Sequence, residues 1–211
     1  MLCHGYSIHI TVTTNFTASR KQPELKIAIF GGTFDPIHRA HLTVAREAVN
    51  QFGLNRVLFV PAAHPPHKPD AGTPYEDRLR MVQLACQGEP AFEASDIESG
   101  SGKSYSIDTI ERLRQGLATA DQLFFIIGTD AFAEILTWHR AADVIRSVDF
   151  IVVSRPGTDY DIPPGARVLR LDTLVLEVSS SAIRRELIEG VPPAELPENV
   201  FAYIRSKGLY I

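Results

Sequence analysis

"IAIFGGTFDPIHRAHL", residues 27–42, is the stretch on which the fold turns. An unbroken apolar run, Ile27 to Phe30, meets Gly31-Gly32, and His38 and His41 follow three residues apart. Apolar residues without polar alternation predict a strand buried on both faces. The glycine pair predicts a break where backbone amides approach a ligand with no Cβ in the way. Histidines at i and i+3 of the helix that follows lie on one face. The small Ala40 between them keeps that face open. The N-terminus of such a helix offers unpaired N–H groups and partial positive charge to an anion.

The same alternation continues on both sides of the glycine pair. Buried strands are predicted at 25–30, 56–61, 92–95, 122–128, 148–156 and 173–178. Helical periodicity is predicted at 38–52, 75–86, 104–117, 130–136, 139–146, 179–190 and 197–210. Thr73 is the expected N-cap of the second helix, with Pro74 at its first position. Val/Ile/Phe-rich strands alternating with helices predict an α/β chain: a doubly wound parallel sheet, with a helical C-terminal segment. Such sheets bind ligands at the carboxyl ends of their strands. Residues 24–211 read as one domain without repeats or linkers. Residues 1–23 read as a weakly patterned extension outside it, with low order expected.

Composition narrows the class. The 211 residues are 45% hydrophobic and 22% charged, with a net charge of -4. There is no basic excess of the kind that marks a nucleic-acid partner. No apolar run approaches the ~20 residues that span a bilayer, and the N-terminal stretch lacks a secretory pattern. A cytoplasmic protein without nucleic-acid or membrane partners is expected. The Asn15 acceptor motif then has no consequence. Cys3 and Cys86 have no ligand spacing, and His64 and His67 lack a third ligand. No protein-held metal is predicted.

Three phosphate motifs compete. GxGxxG fails, because Gly31-Gly32-Thr33 stands after the first strand. "GSGKS" at 100–104 ends like a P-loop, but Ile97 occupies the position of the required first glycine. The polar residues before it are also no buried strand. The remaining candidate is the glycine pair with its two histidines.

"GGTFDPIHRAHL" closely resembles the GxFDPxHxGH signature of the HxGH nucleotidyltransferase superfamily, with Ala40 in place of the usual glycine. "VSSSAIRRE", 178–186, resembles the superfamily's second mark, ISSTxIR, with Ser181 replacing threonine. "FVPAAHPPHK" (59–68), "SYSIDT" (104–109), "FIIGTDAF" (125–132), "LTWH" (136–139), "SRPG" (154–157) and "YIRSKGLY" (203–210) are similar to the bacterial nicotinate mononucleotide adenylyltransferase family. The resemblance runs in order from Lys26 to Ile211. It implies a Rossmann-like nucleotidyltransferase fold and an enzyme of NAD biosynthesis, with ATP and nicotinate mononucleotide as partners and Mg²⁺ delivered with ATP. Related readings are adenylyl transfer to nicotinamide mononucleotide or to pantetheine phosphate. "SYSIDT" and "LTWH" argue against the pantetheine substrate.

By that resemblance, His38, His41 and Arg184 are catalytic. ATP would be held by Gly31, Gly32, Thr33, Phe34, Gly128, Asp130, Arg155, Ser180 and Ser181 together with those three. Lys68, Ser106 and Trp138 would bind nicotinate mononucleotide, with Trp138 stacked on the pyridine ring. The substrate phosphate is itself the nucleophile. The absence of a convincing nucleophile–base pair in the chain agrees with this.

Overall fold

The computed structural model describes residues 24–64, 72–100, 102–173 and 178–210. The strands are β1 (Lys26–Gly32), β2 (Arg56–Pro61), β3 (Phe92–Ala94), β4 (Gln122–Gly128), β5 (Asp149–Ser154) and β6 (Arg167–Asp172). The helices are α1 (Arg39–Phe52), α2 (Tyr75–Ala85), α3 (Ser106–Gln115), α4 (Thr129–Ala133), α5 (Ala141–Ser147), α6 (Ser180–Ile188) and α7 (Glu198–Lys207). A 3₁₀ turn, Ile135–Thr137, follows α4.

Among the described residues all strand pairings are parallel, in the order β3-β2-β1-β4-β5-β6. The order reverses between β1 and β4, which is the switch point of a doubly wound sheet. Side chains alternate across the sheet as strand geometry requires. Ala28, Phe124, Ile126, Ile151 and Val153 join one core with Leu42, Val82, Ile183 and Val200 of the helices. Ile29, Phe125, Ile127, Phe150 and Val152 join the other with Ile107, Phe132 and Val144. Both faces are therefore covered, which is why the strands carry no polar alternation. The C-terminal helical segment is present as α6 and α7.

Four local expectations are corrected. Gly31-Gly32 does not break β1, because both remain in register with Val60 and Pro61 of β2. The chain reverses later, where Phe34 has φ 50° and the Asp35-Pro36 bond is cis. Gly32 is required for closeness instead: a Cβ there would stand 3.0 Å from the Phe34 ring. Helix α2 starts at Tyr75, with Pro74 as N-cap in an extended conformation, ψ 148°. The helix expected from 130 divides after Ala133 into α4 and the 3₁₀ turn.

The fourth correction is β6, which periodicity missed. Among the described residues it is the edge strand of the sheet, and Leu171 is its one buried side chain, so polar residues fill half of "RVLRLD". Of the strand expected at 173–178, residues 174–177 lie outside the described residues. Residues 1–23 also lie outside them.

Candidate functional site

A cavity of about 310 Å³ opens at the carboxyl ends of β1 and β4, at the switch point. Among its walls are six of the expected site residues: Gly31, Gly32, Thr33, Ser106, Gly128 and Trp138. Ser106 is the first residue of α3, and the Ser106 and Ile107 amides precede its first hydrogen bond, from the Asp108 N–H to the Tyr105 carbonyl at 3.0 Å. Trp138 follows the 3₁₀ turn and stands edge-on to Phe125, ring centroids 5.9 Å apart. It is half-buried, packed against the core beneath and lining the cavity.

His38 and His41 form a second group beside this cavity. His38 is the N-cap of α1 and His41 is its third residue. Their rings lie 3.8 Å apart at 33°, a tilted stack. The His38 N–H donates to His41 Nδ1 at 3.3 Å. That acceptor role leaves the proton of a neutral His41 on Nε2, available to a ligand. His38 Nδ1 is buried and has no hydrogen-bond partner among the described residues. Phe34 and Phe30 meet the His41 ring edge-on at 5.1 and 5.9 Å, and Phe30 also lines the cavity.

Burial pushes the His38 imidazole down to about 4. Burial, and then repulsion from His38, holds His41 well below the usual imidazole range. Both rings are therefore neutral at pH 7 while no anion is bound. A bound polyphosphate would raise both values by supplying negative charge.

Stability should follow from the same shift. The unfolded chain takes up the His38 proton near the ordinary value of about 6.5, before the folded chain does, so acid favours unfolding. The His38 contribution is complete above pH 6.5 and is lost as pH falls toward 4. With His38 only 4% exposed, the full difference is about 3 kcal/mol. Melting curves of wild type and His38→Gln between pH 7 and 4.5 should therefore converge as pH falls. Parallel curves would show that His38 is not held neutral.

The third group comes from the C-terminal half. Ser179, rather than Ser180 or Ser181, caps α6, its side chain accepting from the Ala182 N–H at 3.2 Å. Ser180 Oγ donates to the Pro36 carbonyl at 2.9 Å. Arg184 Nη1 donates to the Asp35 carbonyl at 2.6 Å, and Nη2 to Ser181 Oγ at 3.2 Å. These bonds bring Arg184 and the serines against the turn that leads into His38. The cavity walls do not themselves include His38, His41 or Arg184.

The cytidylyltransferase-like family model matches residues 29–186, from β1 through Arg184. A relative from Solibacter usitatus named "Probable nicotinate-nucleotide adenylyltransferase" is 57% identical over 189 residues, covering 88% of this chain and 100% of its own. A relative of the same name from Pelobacter propionicus is 44% identical, over 88% of this chain and 98% of its own. The chain belongs to the nicotinate-nucleotide adenylyltransferase family. Among solved structures, the nicotinic acid mononucleotide adenylyltransferase of Plasmodium falciparum complexed with NaAD shares its fold, with a TM-score of 0.72 at 20% identity. That match covers 89% of this chain and 98% of the other.

The other expected positions fall less centrally. Asp130 on α4 and Arg155 after β5 are exposed and do not line the cavity. Lys68 and His67 lie outside the described residues. Gly102 and Lys103 of "GSGKS" border a separate polar cavity of about 170 Å³. No strand leads directly into that segment, as a P-loop would need. Among the described residues no three His, Cys, Asp or Glu side chains converge as a metal cage.

Several residues of the candidate site carry no sequence signal of their own. Tyr105 and His139 stack at 4.2 Å and both line the cavity. Glu98 lines it too, accepting from Thr109 Oγ1 at 2.6 Å. Asp35 stood inside the quoted signature and carried no separate role. Its carboxylate is 7% exposed, and Tyr210 donates to it at 2.6 Å. A buried acid in a signature loop was a usable signal; its partner 175 residues away was not.

Proposed function

We propose that this chain transfers the adenylyl group of ATP to nicotinate mononucleotide, giving deamido-NAD and pyrophosphate. The observation that carries the reading is the neutral, stacked pair His38–His41, held with Arg184 against one turn beside the switch-point cavity. The 5′-phosphate oxygen of the mononucleotide attacks the α-phosphorus in line. The bond from that phosphorus to the β-phosphate bridging oxygen breaks, and pyrophosphate leaves with the electron pair.

No protein side chain becomes covalently attached. Catalysis rests on positioning and on donors aimed at developing charge. His41 supplies its Nε2–H to the triphosphate, His38 a second imidazole donor, and Arg184 the charge at the departing end. Gly31, Gly32, Thr33 and Phe34 bring backbone close to ATP. Ser180 and Ser181 border its phosphates, and Gly128, Asp130 and Arg155 border its nucleoside. Mg²⁺ would arrive on the triphosphate with most of its ligands from phosphate and water. The described residues form no cage for it, so no step is assigned to a protein-held ion. No described helix is long and apolar enough to cross a membrane. The reaction is assigned to the cytoplasm.

The cavity with Ser106 and Trp138 would take the nicotinate mononucleotide, with Lys68 adding charge from its loop. Nicotinate and nicotinamide have nearly the same shape, so preference must come from donors and acceptors. The opening amides of α3 present N–H groups. A carboxylate accepts from them with either oxygen, whereas the amide NH₂ opposes one. Incubation with ATP, Mg²⁺ and each mononucleotide, followed by product chromatography, should give a higher kcat/KM for the acid. Trp138→Ala should weaken both substrates while the amides keep much of the preference. Equal or better use of the amide by wild type would overturn the substrate assignment.

A further inference from the structure

The turn between β1 and α1 is held from the far end of the chain. Helix α7 ends at Gly208, φ 62°, and Tyr210 follows with φ 63°. These left-handed residues fold the chain back, and the Leu209 N–H donates to the Ile204 carbonyl at 3.1 Å. The Tyr210 hydroxyl then reaches Asp35 Oδ1 at 2.6 Å. On the other side of that bond, Phe34 has φ 50°. A positive φ is uncommon for a bulky side chain, and residues held there cluster where a site needs a fixed geometry. Here two such residues flank the Tyr210–Asp35 hydrogen bond, and the Tyr210 hydroxyl also bonds the Thr73 side chain.

Asp35 connects this bond to the site. Its carboxylate is 7% exposed, so it needs a donor inside the protein. Its backbone carbonyl accepts from Arg184 Nη1 at 2.6 Å. The neighbouring Pro36 carbonyl accepts from Ser180 at 2.9 Å, and the Thr33 carbonyl accepts from the buried Arg78 at 2.7 Å. Displacing the Asp35 side chain would therefore move the carbonyl that orients the guanidinium. Burial, and then donation to Asp35, drives the Tyr210 phenol far above its ordinary range, so it remains a donor at any working pH.

We propose that Tyr210 is a positioning residue for adenylyl transfer: its hydroxyl fixes Asp35, and the Asp35 carbonyl fixes the Arg184 guanidinium beside His38. This rests on the function proposed above. Tyr210 acts through Arg184 and does not touch substrate.

Tyr210→Phe keeps the ring and removes the donor. Its kcat and KM values should be measured at the same interval below each protein's own Tm, so that lost stability does not pass for lost turnover. The expected result is a fall in kcat of about tenfold, with the KM for nicotinate mononucleotide within about twofold, because Tyr210, Asp35 and Arg184 do not line the Trp138 cavity. In an Arg184→Ala background the same substitution should change kcat by less than about twofold, because the group it positions is gone. A wild-type kcat in Tyr210→Phe overturns the proposal. So does a full tenfold effect that persists without Arg184. If the wild type is active and either result appears, this inference alone fails. If the wild type forms no deamido-NAD, the functional reading fails and takes this inference with it.

Discussion

His41→Ala should lower kcat by about 10²–10³-fold, the usual cost of removing one donor to charge that develops in the transition state. The ring is poised for that role before substrate arrives. Its Nδ1 is occupied by the His38 N–H, so its donor must be Nε2–H. Its neutral state, enforced by burial and by His38, means that no proton must first be shed or gained at pH 7. The substitution also leaves the His38 amide without a side-chain acceptor at the helix start, so Tm should fall modestly. Single-turnover rates on folded enzyme separate the two effects. A folded His41→Ala enzyme with wild-type kcat would remove the histidine from the mechanism.

Arg184→Ala should be of comparable severity, with the loss shared between kcat and the KM for ATP. A guanidinium carries five N–H donors, of which the bonds to Asp35 and Ser181 engage two. The others remain for phosphate oxygens, and the two fixed bonds hold the planar fork in one orientation. Arg184→Lys should recover little, because an ammonium cannot hold Asp35 and Ser181 while also presenting a flat fork to phosphate. Pyrophosphorolysis of deamido-NAD offers an independent check, since weakened pyrophosphate binding should raise its KM. A lysine variant within a few-fold of wild type would show that charge alone is needed there.

The sequence made the central sheet readable because its strands are buried on both faces. Residues 56–61 and 122–128 were delimited to the residue, and both are nearly continuous apolar runs. Strand β6 was hidden for the opposite reason: an edge strand with one buried residue carries little pattern. The glycine pair stands at the carboxyl end of β1 as the apolar run predicts, but not as a break. Its residues continue a ladder, and the reversal falls on Phe34 to Pro36, where the Asp35-Pro36 turn signal stands. Spacing placed His38 and His41 on one side of a helix start, and the rings do stack. The order of the stack, with one backbone amide fixing the other ring's tautomer, depends on three-dimensional placement. So does the pairing of Asp35 with Tyr210, which no periodicity could announce.

The tethers on the β1–α1 turn also bear on the timing of biosynthesis. They join residues 144, 149 and 175 positions apart, with Tyr210 as the last partner. Contacts of such separation carry the largest loop-closure entropy and form late in folding. Synthesis reaches β1 and the two histidines well before it reaches Tyr210. A nascent chain can pair β1 with β2 long before that point, yet it lacks the groups that seat Arg184. The tethered form of the β1–α1 turn therefore waits for residue 210, whereas the pairing of β1 with β2 does not.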